Sequence, residues 1–133
     1  MTRAPRHRLF FALDPPSAVR RRIAALQQDL DVEGRAVPAP NFHVTLAFLG
    51  MQPPEVIPAA AGVAAGLGFP SCEVVFDQLG SFRRAGVLWL GASRIADVLQ
   101  EFQHDLVGGL LEAGIGYDRK PWKFHLTLYR KMR

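Results

Sequence analysis

Two short segments of this 133-residue chain carry nearly the same sequence, and each alternates apolar and polar residues as a half-buried β-strand does. The first is Phe42–Phe48 (FHVTLAF) and the second is Phe124–Tyr129 (FHLTLY). Because side chains alternate between the two faces of a strand, each segment places a histidine and a threonine on one face and bulky apolar side chains on the other. We therefore expect two related strands that bury one face in a core and turn the His/Thr face towards a groove.

The repetition is not an accident of composition. The chain has four histidines, and chance predicts only about 0.09 His-x-Thr matches. The polar pairs are His43 with Thr45 and His125 with Thr127. If the strands lie side by side, two imidazoles and two hydroxyls converge on a space that fits a phosphate. The hydroxyls can donate to the phosphate oxygens while one histidine takes a proton from water and the other protonates the leaving oxygen, which amounts to metal-free hydrolysis of a phosphodiester.

A metal site is the weaker interpretation of the same histidines. A catalytic metal needs at least three convergent ligands, and no Asp, Glu or Cys accompanies either motif at ligand-like spacing. The single Cys72 excludes an internal disulfide and a cysteine-based zinc site, and it favours a cytoplasmic location. We expect no metal and no cofactor, and we expect Cys72 to be a small buried residue at the start of a strand.

The remaining pattern predicts one α+β domain. A chain of this length with 49% hydrophobic residues suits one globular core. No apolar run approaches the ~18 residues of a membrane span, and Met1–Arg8 lacks the apolar core of a signal peptide. Helices mixed with hairpin-like strands favour α+β over a doubly wound sheet. Besides the motif strands, the pattern predicts strands at Arg8–Leu13, Cys72–Phe76 and Val87–Leu90. It also predicts helices from Asp14 to an end at Gly34, from Pro53 to about Gly66 and from Ser93 to Gly114 or Gly116.

Several single residues receive plain structural interpretations. In the first helix the apolar stripe of Val19, Ile23, Leu26 and Leu30 should face the core, with Arg20–Arg22 and Gln27 largely on the solvated side. We expect Trp89 in the core and both remaining histidines, His7 and His104, on the surface.

The charge is positive and uneven. The net charge is +4 at pH 7, and basic residues concentrate in the last part of the chain, from Tyr117 to Arg133. Such a pole suits a partner that bears phosphate, although a cationic tail can also serve solubility alone.

The paired motifs, His43-Val44-Thr45-Leu46 and His125-Leu126-Thr127-Leu128, resemble those of the 2H phosphoesterase superfamily. RLFFALDPP near the start, NFHVTLAFLG around the first motif and VLWLG in the middle resemble the LigT-like RNA 2′,3′-cyclic phosphodiesterases, also called 2′-5′ RNA ligases. The resemblance implies a bilobal α+β fold over residues 1–133, with two antiparallel sheets and flanking helices related by pseudo-twofold symmetry around a central cleft.

The resemblance also implies an activity: hydrolysis of 2′,3′-cyclic phosphate RNA ends to 2′-phosphomonoesters, with a reversible 2′-5′ ligation in some members and no cofactor. By position, His43 is the general acid, His125 is the general base, and Thr45 and Thr127 hold the phosphate. Arg130 matches an arginine that contacts phosphate or stacks on a base, although simple alternation along the strand places it on the face opposite His125.

Phe11 is a second candidate for base stacking, and its apolar context favours a core role. The partner implied is RNA. We expect the protein to be a monomer that does not associate with a membrane. Two departures stand out: Phe124 replaces the proline usual before the second histidine, and family members continue for some tens of residues beyond the second motif. Either the sequence omits a tail, or the second motif strand has an unpaired edge.

Two other functions remain open. The chain could be a nonenzymatic protein that binds RNA ends, or a 2H phosphodiesterase that acts on another small cyclic phosphate or nucleotide.

Overall fold

The computed structural model describes residues 5–133, so the first four residues of Met1–Arg8 lie outside the described part. Residues 5–133 form six strands and three α-helices. No helix within them is long and apolar enough to cross a bilayer. The strands are β1 (His7–Leu13), β2 (Arg35–Ala36), β3 (Val44–Gln52), β4 (Gln78–Phe82), β5 (Val87–Gly91) and β6 (His125–Arg130), and the helices are α1 (Ser17–Asp29), α2 (Val56–Leu67) and α3 (Asp97–Glu112).

The α+β class is confirmed, and the strands follow one hydrogen-bonded order. That order is β1-β3-β6-β5-β4, with β2 also paired to β6. The resemblance implied two sheets; the described strands instead join through the antiparallel pair Val44 and Leu126. The pseudo-twofold relation stays a prediction.

The second motif strand, β6, is paired along both edges. One edge pairs with β5, and the other pairs with β3 and β2. The expectation of an unpaired edge beside this strand is therefore wrong. The end of β6 is paired with β2 instead. This strand has only two residues, which is too short to show an alternating pattern in the sequence.

Two compact units divide the chain. The first contains the described residues before Ala12, together with Leu46–Val74 and Ile95–Trp122, and the second contains Ala12–Thr45, Val75–Arg94 and Lys123–Arg133. In the first unit, α2 and α3 pack so closely that a Cβ on Gly109 would lie 2.6 Å from Val63 Cγ1. The second unit has α1 and the strands β2, β4, β5 and β6, and it contains both His-x-Thr pairs.

The predicted strand at Cys72–Phe76 is wrong. The strand in this region, β4, occupies Gln78–Phe82 instead, and Cys72 is exposed rather than buried. The register explains the shift, because Gln78 already lies opposite Gly91, the last residue of β5. A stretch before Gln78 therefore extends past the end of its neighbour, and an apolar run without a partner strand does not become a strand.

Candidate active site

Both His-x-Thr pairs lie in the second unit, where the start of β3 pairs with β6 in antiparallel register. Val44 of β3 pairs with Leu126 of β6, and both side chains are buried. The other apolar motif residues flanking the histidines, Phe42, Phe124 and Leu128, are buried as well. The predicted apolar face of each strand is therefore confirmed, and the opposite face carries the polar residues.

The four polar motif residues form a compact array on that opposite face. In an antiparallel pair, a step forward on one strand matches a step back on the other. Thr45 therefore lies across from His125, and His43 lies across from Thr127. Each histidine has a threonine as its cross-strand neighbour, while the histidines lie on a diagonal, which spans about 7–8 Å in a regular pair. All four are half-buried, and the space between the diagonal imidazoles suits one phosphate.

Both imidazoles are held in the same way. His43 Nδ1 lies 2.7 Å from the Asn41 carbonyl oxygen, and His125 Nδ1 lies 2.8 Å from that of Lys123. A carbonyl oxygen only accepts hydrogen bonds, so Nδ1 carries the proton in each ring. Nε2 is then the ring atom through which an imidazole accepts a proton as a base or, as an imidazolium, donates one as an acid.

Aromatic rings surround His125. Its ring makes edge contacts with Phe82 at 5.1 Å and with Trp89 at 6.2 Å between centroids. Phe82 and Trp89 also contact each other at 5.5 Å, and Lys123 Nζ lies 5.0 Å from the centre of the Trp89 ring. The ring contacts limit the rotation of the imidazole, and Lys123 places a cation over the neighbouring indole. The sequence marked Trp89 only as a core residue, and it is indeed buried.

The position of Trp89 depends on two glycines. A Cβ on Gly80, its cross-strand neighbour, would overlap the indole ring, and one on Gly91 would lie 2.6 Å from Trp89 Cζ3. The buried indole Nε1 has no hydrogen-bond partner within residues 5–133. Such an unsatisfied buried donor costs stability.

Replacing Gly80 with alanine should lower the free energy of unfolding by about 1–3 kcal/mol, because Trp89 must shift to admit the methyl group. Gly108→Ala is the matched control, since Gly108 is an α3 residue with open space at its Cβ position. That change should raise the free energy of unfolding by about 0.5–1 kcal/mol through helix propensity. Urea denaturation measures both, and equal effects would contradict the packing interpretation.

Arg130 lies on the motif face because β6 contains a bulge. Leu88 pairs with Tyr129 but Trp89 pairs with Thr127, so the register shifts by one residue. Leu88 and Trp89 are consecutive and point to opposite faces, hence Tyr129 points away from the face of Thr127. Arg130, one residue later, returns to the face of Thr127. The expectation from simple alternation is therefore wrong, because the bulge resets the parity.

Arg20 supports the first motif, although the sequence placed it on the solvated face of α1. Its guanidinium donates to the carbonyl oxygens of Ala39 at 2.9 Å and Pro40 at 3.0 Å. These residues form the short 3-10 turn that ends at Asn41, the acceptor for His43. The side chain thus holds the segment that orients the imidazole. An arginine within a run of three gives no sequence signal for this role.

Gln27 supports the second motif in a similar way. It is buried, and its amide donates to the Val37 and Leu128 carbonyl oxygens at 2.9 and 2.8 Å. The hydroxyl of Tyr129 donates to the Gln27 carbonyl oxygen at 2.8 Å. Gln27 is buried where the sequence pattern expected Leu26, which is exposed. The Leu128 carbonyl oxygen also accepts from the Val37 N–H at 2.9 Å, so the buried amide joins the backbone of β6 to the segment that precedes the first motif.

The other candidate residues have simpler surroundings. Phe11 belongs to the first unit, where it is half-buried and lines an apolar cavity of about 180 Å³ with Leu9, Phe10 and Leu49 among others. Within residues 5–133 no group of three or more His, Cys, Asp or Glu side chains is placed to hold a metal ion. His7 and His104 are exposed, as predicted.

Comparison with known proteins finds relatives that all belong to one group of phosphoesterases. A family model described as LigT like Phosphoesterase matches residues 13–89, a stretch that includes the first motif. The RNA 2′,3′-cyclic phosphodiesterase of Escherichia coli K12 is 32% identical over 125 residues, covering 92% of this chain and 71% of that protein. The protein of the same name from Archaeoglobus fulgidus is 29% identical, covering 95% and 73%.

A solved structure agrees with this result. The crystal structure of E. coli LigT complexed with 3′-AMP superposes with a TM-score of 0.87 at 31% identity, covering 96% of this chain and 74% of that one.

Proposed function

Because the chain belongs to the LigT-like phosphoesterase family, we propose that it is an RNA 2′,3′-cyclic phosphodiesterase that hydrolyses the cyclic end to a 2′-phosphomonoester without a metal ion. The observation that carries the proposal is the diagonal array of two histidines and two threonines, formed by β6, β3 and the residue that directly precedes β3, with both Nδ1 atoms bound to carbonyl oxygens. Two similarly held imidazoles supply the acid and the base that such a reaction needs.

The proposed reaction is one in-line displacement. His125 Nε2 takes a proton from water, whose oxygen attacks phosphorus, and the bond from phosphorus to O3′ breaks. His43 Nε2 gives its proton to the departing O3′, so the products are a 2′-phosphate and a free 3′-hydroxyl. Thr45 and Thr127 donate hydrogen bonds to the non-bridging oxygens, where charge develops. The same displacement, with the 5′-hydroxyl of a second RNA in place of water, would form a 2′-5′ linkage and leave the 3′-hydroxyl free.

The remaining parts of the proposal concern binding and location. Arg130 contacts phosphate or stacks on a base, in keeping with its place on the motif face, and Phe11 is kept as a candidate for base stacking. A monomer suffices, because both motifs lie on neighbouring strands of one chain. We place the protein in the cytoplasm, where an exposed thiol such as Cys72 stays reduced.

One incubation tests the activity. The purified protein is mixed with an RNA oligonucleotide that ends in a 2′,3′-cyclic phosphate, in the presence of EDTA, and the 2′- and 3′-phosphate products are resolved. We expect the 2′-phosphate alone, at a rate that EDTA does not change. A 3′-phosphate product would contradict the assignment of His43 to O3′. Salt-sensitive binding without hydrolysis would favour an RNA-end binder.

A nucleotide substrate is the second candidate, and a specific observation favours it. The E. coli structure with 3′-AMP holds a single nucleotide, so a cyclic mononucleotide is included as a parallel substrate. Hydrolysis of the mononucleotide with rejection of the oligonucleotide would replace RNA as the substrate.

A further inference from the structure

A second arginine lies across from Arg130. β2 pairs with β6 in antiparallel register, with Arg35 opposite Arg130 and Ala36 opposite Tyr129. Directly opposed residues point to the same face of a sheet. Because the bulge returns Arg130 to the motif face, Arg35 lies on that face too. Both arginines are exposed.

The arginine pair continues the motif array along β6. The rows across the strand pairs are first Thr45 and His125, then His43 and Thr127, and then Arg35 and Arg130. The last row is therefore adjacent to His43 and farther from His125. Nothing in the sequence pattern indicated this, because Arg35 stands eight residues before the first histidine and has no motif around it.

The opposition of two cations is unfavourable on its own. Like charges directly across an antiparallel pair destabilise it. Within residues 5–133 neither guanidinium forms an ion pair with a carboxylate. An anion between them would remove the repulsion, and two planar forks match the oxygens of a phosphate group. The pair therefore has the chemistry of a phosphate site.

The proposed reaction indicates which phosphate this is. Water and O3′ must lie on opposite sides of phosphorus in an in-line displacement, so the ribose that carries O3′ lies on the side of the acid, His43. The rest of the RNA strand leaves from that ribose through its 5′ oxygen. The strand would therefore extend towards the row beside His43, which places the arginine pair on the side of the next phosphodiester.

We propose that Arg35, together with Arg130, forms a subsite for the phosphodiester that precedes the cyclic end, and so makes the chain prefer RNA strands to cyclic mononucleotides. This proposal rests on the proposed function, because it takes its direction from the roles of His43 and His125. Arg35 is a specificity-determining residue and takes no part in proton transfer.

The experiment compares three substrates with the same terminal base: adenosine 2′,3′-cyclic phosphate, the dinucleotide ApA ending in a 2′,3′-cyclic phosphate, and that dinucleotide with a neutral methylphosphonate linkage. The measured quantity is the ratio of kcat/KM for the dinucleotide to kcat/KM for the mononucleotide. Arg35→Gln should lower this ratio about tenfold, because the variant loses one charge-assisted hydrogen bond at an exposed site. Arg35→Lys should recover part of it, since the charge remains.

Arg22→Gln is the matched control, because it removes the same charge from an exposed position on α1, and it should leave the ratio at the wild-type value. For the methylphosphonate dinucleotide, the ratio of kcat/KM to that of the mononucleotide should be the same in Arg35→Gln as in the wild type. An unchanged ratio for Arg35→Gln, an equal loss in Arg22→Gln, or an equal loss with the neutral linkage would each overturn the subsite.

The two proposals fail separately. If the wild-type protein hydrolyses none of the three substrates, the proposed function is wrong. Calorimetric binding of ApA 2′-phosphate and its methylphosphonate analogue to wild type and Arg35→Gln then decides the subsite. Tighter binding of the charged form by wild type alone supports the arginine pair, and equal binding overturns it.

Discussion

Replacing His125 with alanine should lower kcat on a 2′,3′-cyclic phosphate by about 10²–10⁴-fold, and replacing His43 should cost a similar factor. Each variant loses one of the two proton transfers while its neighbouring threonines stay in place. His104→Ala is the control, because His104 is exposed on α3, and its kcat should stay within about twofold, as for surface changes. Near-normal turnover in His43→Ala or His125→Ala would refute the acid–base roles.

The pH profile of the same variants separates the two roles. The wild-type rate should follow a bell-shaped curve, since the base must be neutral and the acid protonated. The acidic limb belongs to the base, so His125→Ala should lose that limb while keeping the basic one. His43→Ala should lose the basic limb instead. The opposite pattern would exchange the roles of the two histidines.

Thr45→Val and Thr127→Val should each lower kcat by about 10²–10³-fold, the usual cost of removing one donor to a developing oxyanion. Valine keeps the β-branched shape that a strand favours, so the loss reflects the hydroxyl rather than the fold. Thr→Ser at the same positions keeps the hydroxyl and should retain most of the activity. Single-turnover measurements give the rate constant of the chemical step. A loss confined to KM in steady-state measurements would show that the threonines act in binding alone.

Local patterns were sufficient for much of the fold. Hydrophobic spacing predicted the three helices to within five residues at each end, alternation predicted the strands around both motifs, and a short run of residues with high β-propensity predicted the strand at Val87–Leu90. These elements have a repeating pattern over at least four residues, which reports directly which face is buried. The strand at Cys72–Phe76 failed because its pattern had no partner strand to pair with.

Residues that act through distant backbone gave no such pattern. Gln27 and Arg20 donate to carbonyl oxygens that lie 101 and 19 residues away in the chain. Gly80 and Gly91 are needed because the Trp89 ring lies over both of them. This follows from the register of the strands and not from the composition of the sequence. A single-sequence pattern reports periodicity and cannot report which remote groups need a hydrogen-bond partner.

The duplicated His-x-Thr motif by itself determined the functional groups of the site: two imidazoles and two hydroxyls, with each pair on the polar face of its strand. Tertiary structure alone decided that each histidine faces a threonine across β3 and β6, that a bulge turns Arg130 to the same side, and that Arg35 joins it. The physical reason is that alternation along a strand is a local property of the backbone. Register and bulges depend instead on which segments pair, and that choice is made by the packing of the whole chain.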